Sequence, residues 1–354
     1  MLRKIAAVSA LALLVNGASL ALAQEKTDCS SISGAALVHF QGPYTKALID
    51  GATAAGEECG SKIKSGGPAQ FDSSAQVAMF QDFVLSGVKA IVTVPFPADF
   101  WQRPIEDAVK QGVTVSSFDV EAPNAPISLH TAPKQQHLGR ALADVLIKKV
   151  GSDAKGAIVT GICIPALGLL QARVTGFKNR IAEKMPGASI VGPLDVTFDQ
   201  TENYSRWRSA VDANPGAIAY IGFCENDLPS LVRIKGSDPK ATYQIAAIGV
   251  NPDGLKGISD GVALAAIGQK PFMQGYVAMR AMLVKLAAHQ PVPHGWIDVG
   301  PETITTDNVK AITNREASIS SGFGPTRKYY DGEIKAIFSD LDGHVQPYSA
   351  LLGN

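Results

Sequence analysis

Gly257-Ile258-Ser259-Asp260-Gly261 has the G-x-S-x-G spacing that in hydrolases presents a nucleophilic serine. That chemistry needs a strand, then a strained turn, then a helix. Here the run follows a short helical stretch and precedes a strand, so its glycines read as a turn. No P-loop is present, and no G-x-G-x-x-G follows a strand. The six histidines, His39, His130, His137, His289, His294 and His344, show neither H-x-x-x-H nor cysteine-paired zinc spacing. No catalytic residue, metal or cofactor is therefore expected, and the chain does not read as an enzyme.

The groups left for chemistry are carboxylates, amides and aromatic rings, and they gather where strands end. Val38-His39-Phe40-Gln41-Gly42-Pro43-Tyr44 lies where the first strand meets the first helix. Val94-Pro95-Phe96-Pro97-Ala98-Asp99-Phe100-Trp101 and Phe118-Asp119-Val120-Glu121 end two more strands. In the second half come Phe198-Asp199, Cys224-Glu225-Asn226-Asp227 and Val250-Asn251-Pro252-Asp253-Gly254, and Gln269 follows a strand ending at Ile267. Rings pack on the C–H faces of a sugar, while Asp, Asn, Gln and Arg pair with its hydroxyls. The competing reading is local: Asp and Asn at these places also cap helices and make turns.

What positions these groups is an alternation of short β-branched runs with longer amphipathic stretches. Ala35–Phe40, Ala90–Val94, Val113–Phe118, Gly156–Cys163, Ala217–Phe223 and Gln244–Val250 read as strands. Tyr44–Glu58, Ala75–Leu85, Leu138–Val150, Ala166–Lys184, Asn203–Ala213 and Met273–His289 read as helices. Strands alternating with helices of this length imply parallel sheets covered on both faces, and right-handed crossovers make each set doubly wound. Two such sets imply two α/β lobes. Ligands of open α/β sheets bind beyond the carboxyl ends of the strands, so facing lobes would enclose a cleft. After Trp296 the pattern breaks into two strand-like runs, a polar Gly/Ser/Asn region and a short helix at Ile334–Phe338, to which no chemistry is assigned.

The first residues set the compartment. Arg3 and Lys4, an apolar Ile5–Leu14 and Ala21-Leu22-Ala23 have the layout of a secretory signal peptide over 1–23. Removing it leaves 331 of the 354 residues, 30 basic against 32 acidic side chains and a net charge of −2. A near-neutral chain does not favour nucleic acid or an anionic membrane. No apolar run in the mature chain reaches the roughly 20 residues of a membrane span. Four cysteines in an exported chain allow three pairings. Cys29 precedes the first strand and Cys59 ends the first helix, which makes that pair attractive. Cys163 and Cys224 each end a strand and read more simply as buried thiols.

The order of several motifs resembles the ribose-binding-protein type of periplasmic binding protein over roughly Ala35 to Val309. Asp119 in SFDVEAP resembles that family's cleft aspartate, and Arg173 in QARVTGF its helix arginine. Asn226 in CENDL resembles its cleft asparagine, and Gln269 in AIGQKPFMQGY the glutamine at a crossing between lobes. Thr305-Thr306-Asp307-Asn308-Val309 resembles the end of the third crossing. Three departures stand out. Val120 replaces the arginine usual after the aspartate, Asn251 replaces a carboxylate, and a phenylalanine pair is reduced to Tyr44-Thr45.

The resemblance implies two doubly wound parallel-sheet lobes joined by a three-crossing hinge, the type I periplasmic binding fold. Crossings near Thr131, Gln269 and Trp296 would give a first lobe of 24–131 plus 270–295, and a second of 132–269 plus 296–354. It further implies a monomeric, periplasmic solute-binding component of an ABC importer, docking on an inner-membrane permease and binding a neutral monosaccharide or polyol. Asp119, Arg173, Asn226, Asn251 and Gln269 would bind hydroxyls, while Tyr44 with Phe40, Trp101 or Phe198 would stack. A sensory receptor of the same fold, presenting its ligand to a chemoreceptor or sensor kinase, is the alternative.

Overall fold

The computed structural model describes residues 27–318 and 323–352, so the expected signal peptide lies outside the described residues. The chain begins β1 (Gly34–Leu37), α1 (Pro43–Cys59), β2 (Ile63–Gly66), α2 (Ser73–Leu85), β3 (Ala90–Thr93), α3 (Gln102–Lys110), β4 (Thr114–Phe118) and β5 (Leu129–Ala132). It crosses to α4 (Gln135–Val150), β6 (Gly156–Ile162), α5 (Gly168–Lys184), β7 (Ala188–Asp195), α6 (Gln200–Ala213) and β8 (Ala219–Gly222). The same lobe continues with α7 (Asp227–Gly236), β9 (Gln244–Ile248), α8 (Pro252–Ser259) and β10 (Ala265–Gly268). The chain returns for α9 (Pro271–Ala287) and β11 (Gly295–Asp298), then crosses again for β12 (Glu302–Ile304) and α10 (Val309–Ser318). Four short helices close it: α11 (Gly324–Tyr329), α12 (Asp331–Ser339), α13 (Leu341–His344) and α14 (Tyr348–Leu352).

The sheets run β2-β1-β3-β4-β5-β11 and β7-β6-β8-β9-β10-β12. The two orders are equivalent, and every pairing is parallel except β12 on β10. Strands such as β1, β3, β8 and β10 are buried at every position, as helices on both faces require.

One helix pair in each lobe is drawn unusually close. A Cβ on Gly51 of α1 would strike the Phe272 carbonyl of α9, and one on Gly275 would strike the Leu48 carbonyl. The second lobe repeats the device: Gly139 of α4 faces the Arg173 carbonyl, and Gly176 of α5 faces that of Gln136. Only glycine permits that approach of backbone to backbone. These four helices carry Tyr44, Gln274, Gln135 and Arg173, so tight packing fixes the helices from which the polar residues of the cleft project.

The lobe boundaries differ from those expected in the tail. The third crossing falls after Asp298 rather than near Trp296, because β11 pairs with β5 in the first sheet, Trp296 opposite His130. Only β12 and α10 join the second lobe, where Val309 and Ile312 enter its core. The four described helices after them return to the first lobe. Tyr330, Ile334, Ile337 and Leu341 cover the outer face of α9, burying apolar surface that would otherwise meet water. Arg327 pairs with Glu58 of α1 at 2.6 Å, and Lys270, at the second crossing, pairs with Glu333 of α12 at 2.6 Å.

Both candidate disulfides are formed. Cys29–Cys59 joins the amino-terminal side of β1 to the end of α1. Cys163–Cys224, expected as buried thiols, joins the carboxyl ends of β6 and β8 with Cα atoms 6.1 Å apart. These strands are neighbours, so residues at matching ends fall within bridging reach.

Candidate functional site

The carboxyl ends of both sheets face a shared cavity of about 100 Å³. Its floor is a chain of hydrogen bonds that starts in one lobe and ends in the other. Asp119 follows β4 with φ 64°, a left-handed turn that Asp tolerates better than most residues. That turn directs its backbone N–H to Gln274 Oε1 at 3.0 Å, while its Oδ1 accepts from the Tyr44 hydroxyl at 2.9 Å. Gln274 Nε2 donates to the Gln269 carbonyl at 2.8 Å and to the Tyr44 oxygen at 3.3 Å. Gln269 Oε1 accepts from Arg173 at 2.5 Å. The guanidinium also donates to Gln135 Oε1 at 2.7 Å and to the Phe223 carbonyl at 2.9 Å.

Burial governs the charges of this floor. It raises the Asp119 carboxyl, against the pull of the Tyr44 hydroxyl and of Arg173. It raises the Tyr44 phenol as well, with Asp119 adding to the effect. It lowers the Arg173 guanidinium, which Asp119 opposes. Asp119 and Arg173 thus balance each other across the lobes in a setting of low dielectric. Glu225, next to the second lobe's disulfide, also lines the cavity. Burial, then the charges of Glu316 and Asp119, push its carboxyl up to about 7.

The opposite wall is apolar. His39, Phe40, Phe71 and Phe96 of the first lobe meet Phe198, Ile164, Leu167, Leu169 and Leu170 of the second. The Phe40 and Phe71 centroids lie 4.5 Å apart, and Phe198 reaches both across the cleft at 6.2 and 6.1 Å. Burial lowers the His39 imidazole to about 3, so it is neutral at ordinary pH.

Of the nine residues expected to bind, Phe40, Tyr44, Asp119, Arg173, Phe198 and Gln269 line this cavity together. Three do not. Trp101 is fully buried in the first lobe's core, edge-on to Phe80 at 5.4 Å, because it shares the inward face of α3 with Ile105 and Ala108. Asn251 caps α8, its Oδ1 accepting from Asp253 N at 3.0 Å, and it lies on an outer groove with Tyr204 and Arg233. Asn226 donates to the Phe198 carbonyl at 2.6 Å, so it holds the loop that carries a wall ring. The sequence reading missed Phe71, Gln274, Gln135 and the three leucines. Phe71 alone left a local signal, a large ring inside the Gly-, Ser- and Pro-rich segment after β2. Among the described residues no group of His, Cys, Asp and Glu is arranged to hold a metal ion, and no helix is long and apolar enough to cross a membrane.

Residues 34–290 match the periplasmic binding protein domain, and the chain belongs to that family. It is accordingly a binding protein built on two α/β lobes. The ribose import binding protein RbsB of Escherichia coli is 24% identical over 231 residues, covering 65% of this chain and 76% of its own length. The RbsB of Bacillus subtilis is 26% identical over 215 residues, 60% of this chain and 68% of its own. Among solved structures, an ABC transporter solute binding protein from Burkholderia graminis in complex with D-arabinose has a TM-score of 0.72 at 22% identity, covering 80% of this chain and 98% of its own.

Proposed function

We propose that the chain is the extracytoplasmic receptor of an ABC importer, exported by its first 23 residues, and that it holds a neutral monosaccharide or polyol between its lobes. The supporting observation is the floor itself. Asp119, Tyr44, Gln269 and Arg173 form one hydrogen-bonded series spanning both lobes at one cavity. A guest that touches both ends of such a series favours the closed arrangement by its extra contacts there. Compensation of Asp119 by Arg173 suits a guest without net charge. Bond-making has no part in this role; the work is recognition, closure and delivery to a membrane permease. A thermal-shift screen of the mature protein against aldoses and polyols tests the reading, since a ligand bound only by the folded form raises the melting temperature. A folded protein whose melting temperature no member of the library moves would refute it.

A further inference from the structure

We infer that the guest carries its hydroxyls on one side and a hydrocarbon surface on the other, as a deoxy sugar does. This rests on the reading above and narrows its substrate class. Eleven of the seventeen residues lining the cavity are apolar, if His39 and Tyr44 are counted as polar. Among them the rings cluster into a wall: Phe40 and Phe71 meet Phe198 across the cleft, and Phe96 packs beside Phe71. Away from His39, a hydroxyl turned to that wall would lose its water and gain no partner, whereas a methyl or methylene group would gain contact. One polar atom interrupts it: the buried Nδ1 of His39 has no hydrogen-bond partner.

The polar side is already largely committed. Arg173 spends three of its five N–H donors on Gln135, Phe223 and Gln269. The Tyr44 proton goes to Asp119, and the amide of Gln274 is engaged at both ends. Asn226 and Asn251, which would have added two amides, are turned to the Phe198 carbonyl and to the α8 cap. Apart from His39, what remains for a guest is one oxygen of Asp119, the Gln269 amide N–H groups, two N–H groups of Arg173 and the Glu225 carboxyl. All of these lie on the floor or at its edge. A sugar with hydroxyls around its whole ring would leave those on the far side unpaired, at a cost the wall does not repay.

Matched pairs test this by calorimetric titration of the mature protein: L-galactose against L-fucose, D-galactose against D-fucose, L-mannose against L-rhamnose, and D-ribose against 5-deoxy-D-ribose. The expected result is that, in the pair that binds, the deoxy member binds ten- to a hundredfold tighter. Phe198→Asn and, independently, the more exposed Phe71→Asn should narrow that gap. A parent sugar bound as tightly as its deoxy partner, or more tightly, overturns the inference and leaves the receptor reading intact. A folded protein that binds neither member of any pair, nor any polyol, overturns the receptor reading itself.

Discussion

The floor and the mouth of the cleft differ in how their residues are held. Floor residues are largely buried and hydrogen-bonded to one another: Arg173 is 4% exposed and Gln274 is fully buried. The rings of the mouth have apolar contacts with one another and with the core edges, and Phe71 is 46% exposed. A prearranged polar floor fixes which atoms of a guest can be paired, because its groups cannot turn to suit another pattern. A partly exposed ring wall contributes area and shape, with far less demand on position. The floor therefore sets which hydroxyls of a guest are paired, while the wall sets where hydrocarbon must lie and supplies much of the affinity on closure.

The largest expected effect sharpens this contrast at the strand ends behind the floor. Replacing both Cys163 and Cys224 by Ser should lower stability by about 2–5 kcal/mol, read by thermal melting, and should also weaken ligand binding, because the bridge lines the cavity. The same change at Cys29 and Cys59 should lower the melting temperature and leave affinity unchanged, since that bridge sits away from the strand ends that form the cleft. Equal effects on affinity from both pairs would remove the distinction between the two ends of the sheets.

A smaller effect concerns the charge at the edge of the floor. The Glu225 carboxyl titrates at about 7 in the folded chain against an ordinary 4.5. Its folded-state value is raised, so its stabilising contribution is complete below about pH 4.5 and is lost as pH rises through 7. Melting temperature should therefore fall between pH 5 and pH 8, and Glu225→Gln should flatten part of that fall, on the order of 2 kcal/mol. Asp227, raised to about 6 by burial, contributes in the same direction and remains in the variant. An unchanged slope in scanning calorimetry would place Glu225 in a more solvated setting than the one described. The smallest effect lies at the mouth: Phe71→Ala should weaken binding only a few-fold, with little change in melting temperature. A loss as great as that from a floor residue would invert the comparison.

Much of this arrangement was legible from the sequence because parallel α/β order fixes where strand ends go. Asp119, Arg173 and Gln269 were identified from their motifs and do line one cavity. The buried strands β1, β3 and β8 likewise follow from local apolar runs. What the sequence hid depends on partners far along the chain. Gln274 matters because it meets an amide 155 residues away, which no local pattern announces. Trp101 and Asn251 were drawn to the site by type and place, but a helix face claimed one and a helix cap the other. Their fates were the ordinary alternatives for such residues. The tail gave no sign of its destination because its apolar positions complement a helix face of the first lobe, seen only once α9 is folded.

The central claim, that one guest is held by both lobes at once, is tested most directly by calorimetric titration of Asp119→Asn and Arg173→Lys with the tightest ligand found. Asn keeps the left-handed turn but loses the charge, and Lys keeps the charge but loses the fork of donors. The account predicts that each variant, still folded, binds at least tenfold more weakly, because each lobe has lost its own contact. Undiminished affinity in either variant would contradict it, since the guest would then be bound by one lobe alone or elsewhere on the molecule.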